Sequence, residues 1–221
     1  MHFFTTCTAA LNKRNGVQNI PPYFAYPLEL RCQMKEELVA ASERAAQLLK
    51  YAEQMFGSMT SQWKYVGVTF CDHPPHLYYT PETNSVQIAL SMRALDDDMQ
   101  RDFQLSHEVC HLLYPSVDPD DPATPQTTVL NEGISTYFSV IVVSADYGDE
   151  AAESVLRGLA ENSPRYFMAF KSVFALLKRD ADAIKKLRKI QPMINDVSVE
   201  HLMAAELGLT QDEAETLAAI C

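Results

Sequence analysis

Between Leu28 and Phe56 the apolar positions Leu30, Met34, Leu38, Ala41, Ala45, Leu48 and Tyr51 recur at helical spacing, and Gly57 follows as a stop. The pattern predicts one long amphipathic helix. Before it, Pro21, Pro22 and Pro27 keep residues 1–27 irregular. The period then falls to two. Trp63 to Phe70 and Ser85 to Met92 alternate apolar and polar positions and are rich in β-branched residues, so both read as strands, with Leu77 to Thr80 as a third. The stretch 62–92 is therefore expected to form a small, largely antiparallel sheet, with Ser85 to Met92 as an edge strand on which an extended peptide could be added.

From about Asp96 the helical period returns through Met99, Phe103, Leu105, Val109, Cys110, Leu112 and Leu113, and Pro115 ends it. Asp96 and Asp97 suit the positive N-terminal end of that helix. A Pro- and Asp-rich loop, 115–127, shows no periodicity. Thr127 or Thr128 caps a further helix through about Tyr147, Ser163-Pro164 opens one through about Lys178, and Thr210-Gln211-Asp212-Glu213 is a capping box for the last. No internal repeat is visible. The fold class expected is α+β: an irregular segment 1–27, an N-terminal lobe 28–114 with the sheet, and a mainly helical lobe 115–221.

One string on the second long helix carries chemistry: His107-Glu108-Val109-Cys110-His111. Spacing of four residues puts His107 and His111 one turn apart on one face, where two imidazoles can meet one metal. Glu108, rotated about 100° from His107 on an ideal helix, reaches a metal-activated water rather than the metal. A catalytic zinc needs three protein ligands and one open position. Glu132, 21 residues beyond His111 in Leu130-Asn131-Glu132-Gly133-Ile134, lies on the next predicted helix and can be brought opposite the two histidines.

The pair His107-Glu108-x-x-His111 and Asn131-Glu132-Gly133 resembles the gluzincins, particularly the thermolysin-like and aminopeptidase N-like clans, over roughly residues 99–140. The resemblance implies a zincin-like fold, one Zn2+ per chain held by His107, His111 and Glu132, Glu108 as general base, and hydrolysis of peptide bonds in a peptide or protein substrate. It also implies a Tyr or His donor near the developing oxyanion, for which Tyr166 and His201 are candidates, and Thr136 could orient a histidine. The Gly-x-Met-Glu-Asn string of the aminopeptidase branch is absent. Tyr114 and Val117 stand where metzincins carry a Gly and a third His. Two other readings stay open: a catalytically silent, zinc-stabilised binding or regulatory module, and a zinc hydrolase of a non-peptide amide.

Composition narrows the partners. Eighteen Lys plus Arg against 29 Asp plus Glu give a net charge of −11, which repels a phosphate backbone, so nucleic acid is not expected. No apolar run is long enough to span a bilayer. Five cysteines without Cys-x-x-Cys spacing read as reduced thiols, and the N-terminus lacks a basic n-region, which together point to the cytoplasm, with a secreted or processed form as the alternative. Cys71-Asp72-His73-Pro74-Pro75-His76 is metal-capable but reads as a turn. The basic residues Lys178, Arg179, Lys185, Lys186, Arg188 and Lys189 read as a solvated helix face.

Overall fold

The computed structural model describes residues 28–60, 63–116 and 127–221; the irregular segment expected for 1–27 and most of the 115–127 loop lie outside them. Eight helices and three strands follow one another among the described residues. Helix α1 (Leu28–Phe56) leads into strands β1 (Lys64–Cys71), β2 (His76–Thr80) and β3 (Ser85–Ser91). Helices α2 (Asp98–Leu113), α3 (Val129–Tyr147), α4 (Asp149–Asn162), α5 (Pro164–Arg179), α6 (Ala183–Ile190), α7 (Val199–Ala204) and α8 (Gln211–Ala218) complete the chain. The α+β class is as expected, and most of the described structure is helical. One apolar core runs from Ala41 on α1 through Val86, Ile88 and Leu90 on β3 and Leu105 and Leu112 on α2 to Leu217 on α8. No helix is long and apolar enough to cross a membrane among the described residues.

The sheet departs from expectation. Its order is β1-β3-β2, with β1 parallel to β3 and β2 antiparallel to it, so the sheet is mixed rather than largely antiparallel. Consequently β3 is the central strand, both of its edges are paired, and the added-strand role expected for Ser85 to Met92 is closed to it. Alternation of apolar residues tells which face of a strand is buried but not which neighbour it pairs with. The short 3-10 turn Pro81–Thr83 folds β2 back on β3, and β1 then takes the other side. The β1–β3 register slips between Tyr65 and Val68, where Gly67 at φ +117° makes the bulge that an L side chain would resist.

Helix α2, which carries the His-Glu motif, is held along its length. Asp97 caps its start by accepting from the Gln100 amide at 2.9 Å. Buried Asp102 accepts from Arg44 on α1 at 3.1 and 3.2 Å and from the Tyr147 hydroxyl of α3 at 3.1 Å. Gln104 ties the helix to the end of β3: its Oε1 accepts from the Ser91 amide at 3.0 Å and its Nε2 donates to Ser91 Oγ at 2.8 Å. At the C-terminal end, Arg188 of α6, whose Nε donates to the Pro192 carbonyl at 3.2 Å, donates through its other nitrogens to four more carbonyls: Phe56 at 3.0 Å, Gly57 at 2.7 Å, Ser58 at 2.7 Å and Leu113 at 3.4 Å. These carbonyls lie at and just beyond the ends of α1 and α2, Leu113 O also accepting from the Thr60 amide at 2.9 Å, and the guanidinium lies 5.3 Å over the Tyr114 ring.

Arg188 is thus an internal clamp, not part of a solvated face. Its neighbours are also engaged within the chain, Arg179 with Glu213 at 2.8 Å, Lys186 with Asp180 at 2.5 Å and Lys185 with Asp182 at 3.3 Å. Sequence reading assigned no element to α4 or α7, and placed the basic residues of α6 on a helix without giving its bounds. Helix α4 has no side-chain cap; Gly148 at φ +88° ends α3 and starts α4 directly. At α5, Pro164 opens the helix as expected, but the Ser163 side chain makes no cap hydrogen bond.

Replacing Arg188 with alanine strands several carbonyls at once, and charge-assisted hydrogen bonds of this kind are worth about 1.5–3 kcal/mol each before solvent compensates. Arg188→Ala is expected to lower the melting temperature by about 5–10 °C. Arg188→Lys should recover less than half of that, because one ammonium cannot span four carbonyls. A thermal melt of either variant within a degree of wild type would contradict the clamp.

Candidate metal centre

Helices α2 and α3 pack directly against one another, and each contributes half of the site. From α2, His107 and His111 bring their Nε2 atoms to 3.1 Å, with ring centroids 4.8 Å apart. From the first turn of α3, Glu132 places Oε2 3.2 Å from His107 Nε2 and 3.6 Å from His111 Nε2. Two ring nitrogens and a carboxylate oxygen therefore face one point. The three residues are the one group of metal-capable side chains that converges in this way among the described residues. The Cys71–His76 segment forms a turn, with His76 Nδ1 2.8 Å from the Pro74 carbonyl.

The fit to a zinc ion can be tested by distance. Ligand atoms about 2.0–2.1 Å from a tetrahedral zinc stand roughly 3.3 Å from each other, and the observed 3.1, 3.2 and 3.6 Å bracket that figure. Glu132 Oε2 is within ion-pair distance of both rings, but neither Glu132 oxygen has a well-directed donor among the described residues. A buried carboxylate left in this state is costly unless a positive charge sits against it.

Burial is nearly complete: His107 and Glu108 are 0% exposed, Glu132 1% and His111 5%. Burial opposes ionisation of Glu132, yet the His111 and His107 rings hold its carboxyl well below the usual carboxylate range. Burial likewise opposes a charged His111, but Glu132 overrides it and lifts the imidazole to about 9, whereas burial leaves His107 lowered. Within the cluster His111 and Glu132 therefore form a charge-compensated pair, with His107 uncharged beside them. Glu108 is different. Burial pushes its carboxyl up to about 7, against the pull of His111, and neither oxygen has a hydrogen-bond partner among the described residues.

Sequence reasoning missed the residue that orients His111. Asn131, immediately before Glu132, accepts at Oδ1 from His111 Nδ1 at 3.0 Å. A donor at Nδ1 leaves Nε2 as the nitrogen that faces the cluster and can ligate once deprotonated. Thr136 does not fill this role: its hydroxyl is buried with no hydrogen-bond partner among the described residues. Of the two oxyanion candidates, Tyr166 on the first turn of α5 lies beside the site, its ring centroid 6.0 Å from that of His107. His201 is occupied elsewhere, its Nδ1 accepting from the Ser198 amide at 3.1 Å in a capping box.

Gly133 explains how α5 comes so near. A Cβ at this position would stand 2.5 Å from the Ala169 carbonyl oxygen and 2.5 Å from Val173 Cγ2, so only glycine lets α3 and α5 meet here. The same approach carries Tyr166 to His107. Comparison with protein families, curated proteins and solved structures finds no match to this chain, so the functional case rests on the site's own chemistry.

Gly133→Ala forces α5 away from α3 and is expected to cost about 2–3 kcal/mol of stability by overpacking. Chemical denaturation should show it as a lower midpoint. An unchanged midpoint would mean that the close approach is not a constraint.

Proposed function

We propose that the protein is a zinc-dependent peptidase in which His107, His111 and Glu132 hold the metal and Glu108 is the general base. The observation that carries this reading is the convergence of the three ligand atoms at zinc-like separations, with a second, unpartnered carboxyl buried beside them. A zincin-like arrangement and the gluzincin resemblance of His107-Glu108-x-x-His111 with Asn131-Glu132-Gly133 belong to the same proposal.

Held by two imidazoles in their neutral form and one carboxylate, a divalent ion would keep net positive charge and would supply the Lewis acidity that polarises a carbonyl and lowers the pKa of water. The remaining work falls to side chains of this chain. Asn131 holds the His111 ring in its ligating tautomer. Glu108, with a carboxyl pushed to about 7, takes the proton of the attacking water and returns it to the leaving amine. Tyr166, whose ring lies 6.0 Å from that of His107, is the donor we assign to the oxygen on which negative charge develops.

Near-complete burial of all four residues favours one other reading, a zinc-stabilised binding or regulatory module without turnover. Glu108 weighs against it. A structural metal gains nothing from a nearby carboxyl that is desolvated and unpartnered, whereas a general base needs such a raised pKa.

The test pairs metal content with hydrolysis. Wild type is expected to hold one zinc per chain and to cleave a peptide library, and Glu132→Ala should lose most of the metal. Glu108→Gln should keep the zinc while hydrolysis falls by about 10²–10⁴-fold. Zinc without cleavage of any peptide would move the assignment to the silent module. Absence of zinc after zinc incubation would remove both readings. Tyr166→Phe should lower kcat by about 10²-fold with little change in KM; an unchanged kcat would take Tyr166 out of the mechanism.

A further inference from the structure

We propose that Asn195, far from the ligands in sequence, sets the ligating tautomer of His111 through a chain of hydrogen bonds whose direction is fixed by one backbone amide. This inference rests on the metal reading above. Asn195 sits on the 3-10 turn Ile194–Asp196 between α6 and α7, and the turn is anchored in the core by Ile194 and Val197, both buried. Its Oδ1 accepts from the Thr128 backbone amide at 3.1 Å and from Asn131 Nδ2 at 3.2 Å. Asn131 Nδ2 also donates to Ser116 Oγ at 3.3 Å, and Asn131 Oδ1 accepts from His111 Nδ1 at 3.0 Å.

A carboxamide is nearly symmetric in shape but not in polarity, so its orientation is decided by what it meets. The Thr128 amide can only donate, and that requires an oxygen from Asn195 on this side. An oxygen there, in turn, requires the NH2 of Asn131. The Asn131 oxygen must then face His111 and accept the Nδ1 proton, so that Nε2, the nitrogen turned toward His107 and Glu132, is the one that gives up its proton to a metal. Reversal of Asn131 would set an NH2 against Nδ1 and favour a proton on Nε2, the atom that must ligate.

Thr128 itself is well fixed. Its side chain caps α3 by accepting from the Asn131 amide at 3.2 Å. Its neighbours pair with the segment after α8, Val129 N donating to the Ala219 carbonyl at 2.8 Å and Cys221 N to the Thr127 carbonyl at 2.9 Å. The rigid donor that begins the chain is therefore supplied by the fold, and Asn195 is a positioning residue that transmits its polarity.

The experiment measures zinc affinity of the full chain by competition with a chromogenic chelator for wild type, Asn195→Leu, Asn195→Ala and Asn195→Asp. Leucine and alanine cannot accept a hydrogen bond, and each is expected to weaken zinc binding about tenfold or more. Aspartate has two acceptor oxygens, satisfies both Thr128 and Asn131, and should stay within about threefold of wild type. In 15N spectra of the zinc-loaded protein the His111 Nδ1–H should exchange slowly in wild type and Asn195→Asp and rapidly in the alanine variant, a difference that loss of packing alone does not produce. Folded leucine and alanine variants with wild-type zinc affinity would overturn the proposal, as would an aspartate variant as weak as alanine. A wild type that binds no zinc would instead defeat the metal reading on which the proposal stands.

Discussion

Everything at this centre follows from burying the carboxylate of Glu132 between two imidazoles. A carboxylate out of water must be met by positive charge, and the two ring nitrogens at 3.2 and 3.6 Å from its oxygen define where that charge sits. Because the rings belong to α2 and the carboxylate to α3, the charge requirement is also a packing requirement: the two helices must meet at the turn that carries all three residues. Ligands on packed helices lose little freedom when a cation binds, which is why scaffolds of this kind hold metals at defined distances.

The supports around α2 read as consequences of that requirement. Arg44 and Tyr147 grip Asp102 near its start, Gln104 fastens its middle to the end of β3, and Arg188 closes its last turn together with that of α1. Gly133 removes the one side chain that would hold α5 off α3, and so places Tyr166 by the His107 ring. A metal-capable cluster, a raised carboxyl at Glu108 and a phenol are thereby assembled from three helices, α2, α3 and α5, that share one core.

How much of this was legible beforehand depended on how local each signal is. Helix α1, the strand positions and the capping box before α8 follow from period and from residues within a turn of each other, and they are found where the sequence places them. His107, Glu108 and His111 are likewise a local pattern, and Asn131-Glu132-Gly133 is legible because the next helix begins at a clear threonine cap. Pairing order in the sheet was not legible, since β3 carries the same alternation whether it lies at an edge or in the centre. Helix α4 escaped because a glycine, not a polar cap, starts it. The choice of Tyr166 over His201, the internal use of Arg188 and the link from Asn195 to Asn131 are tertiary facts, set by elements that only the fold brings together.

The most direct test of the central claim is X-ray absorption at the zinc edge on the metal-loaded protein. Two imidazole nitrogens and one carboxylate oxygen from His107, His111 and Glu132 predict a first shell made only of nitrogen and oxygen, at about 2.0–2.1 Å, and a zinc signal that is largely lost with the metal in Glu132→Ala. A sulfur neighbour at about 2.3 Å, or a wild-type shell that Glu132→Ala leaves unchanged, would place the metal elsewhere and contradict the account.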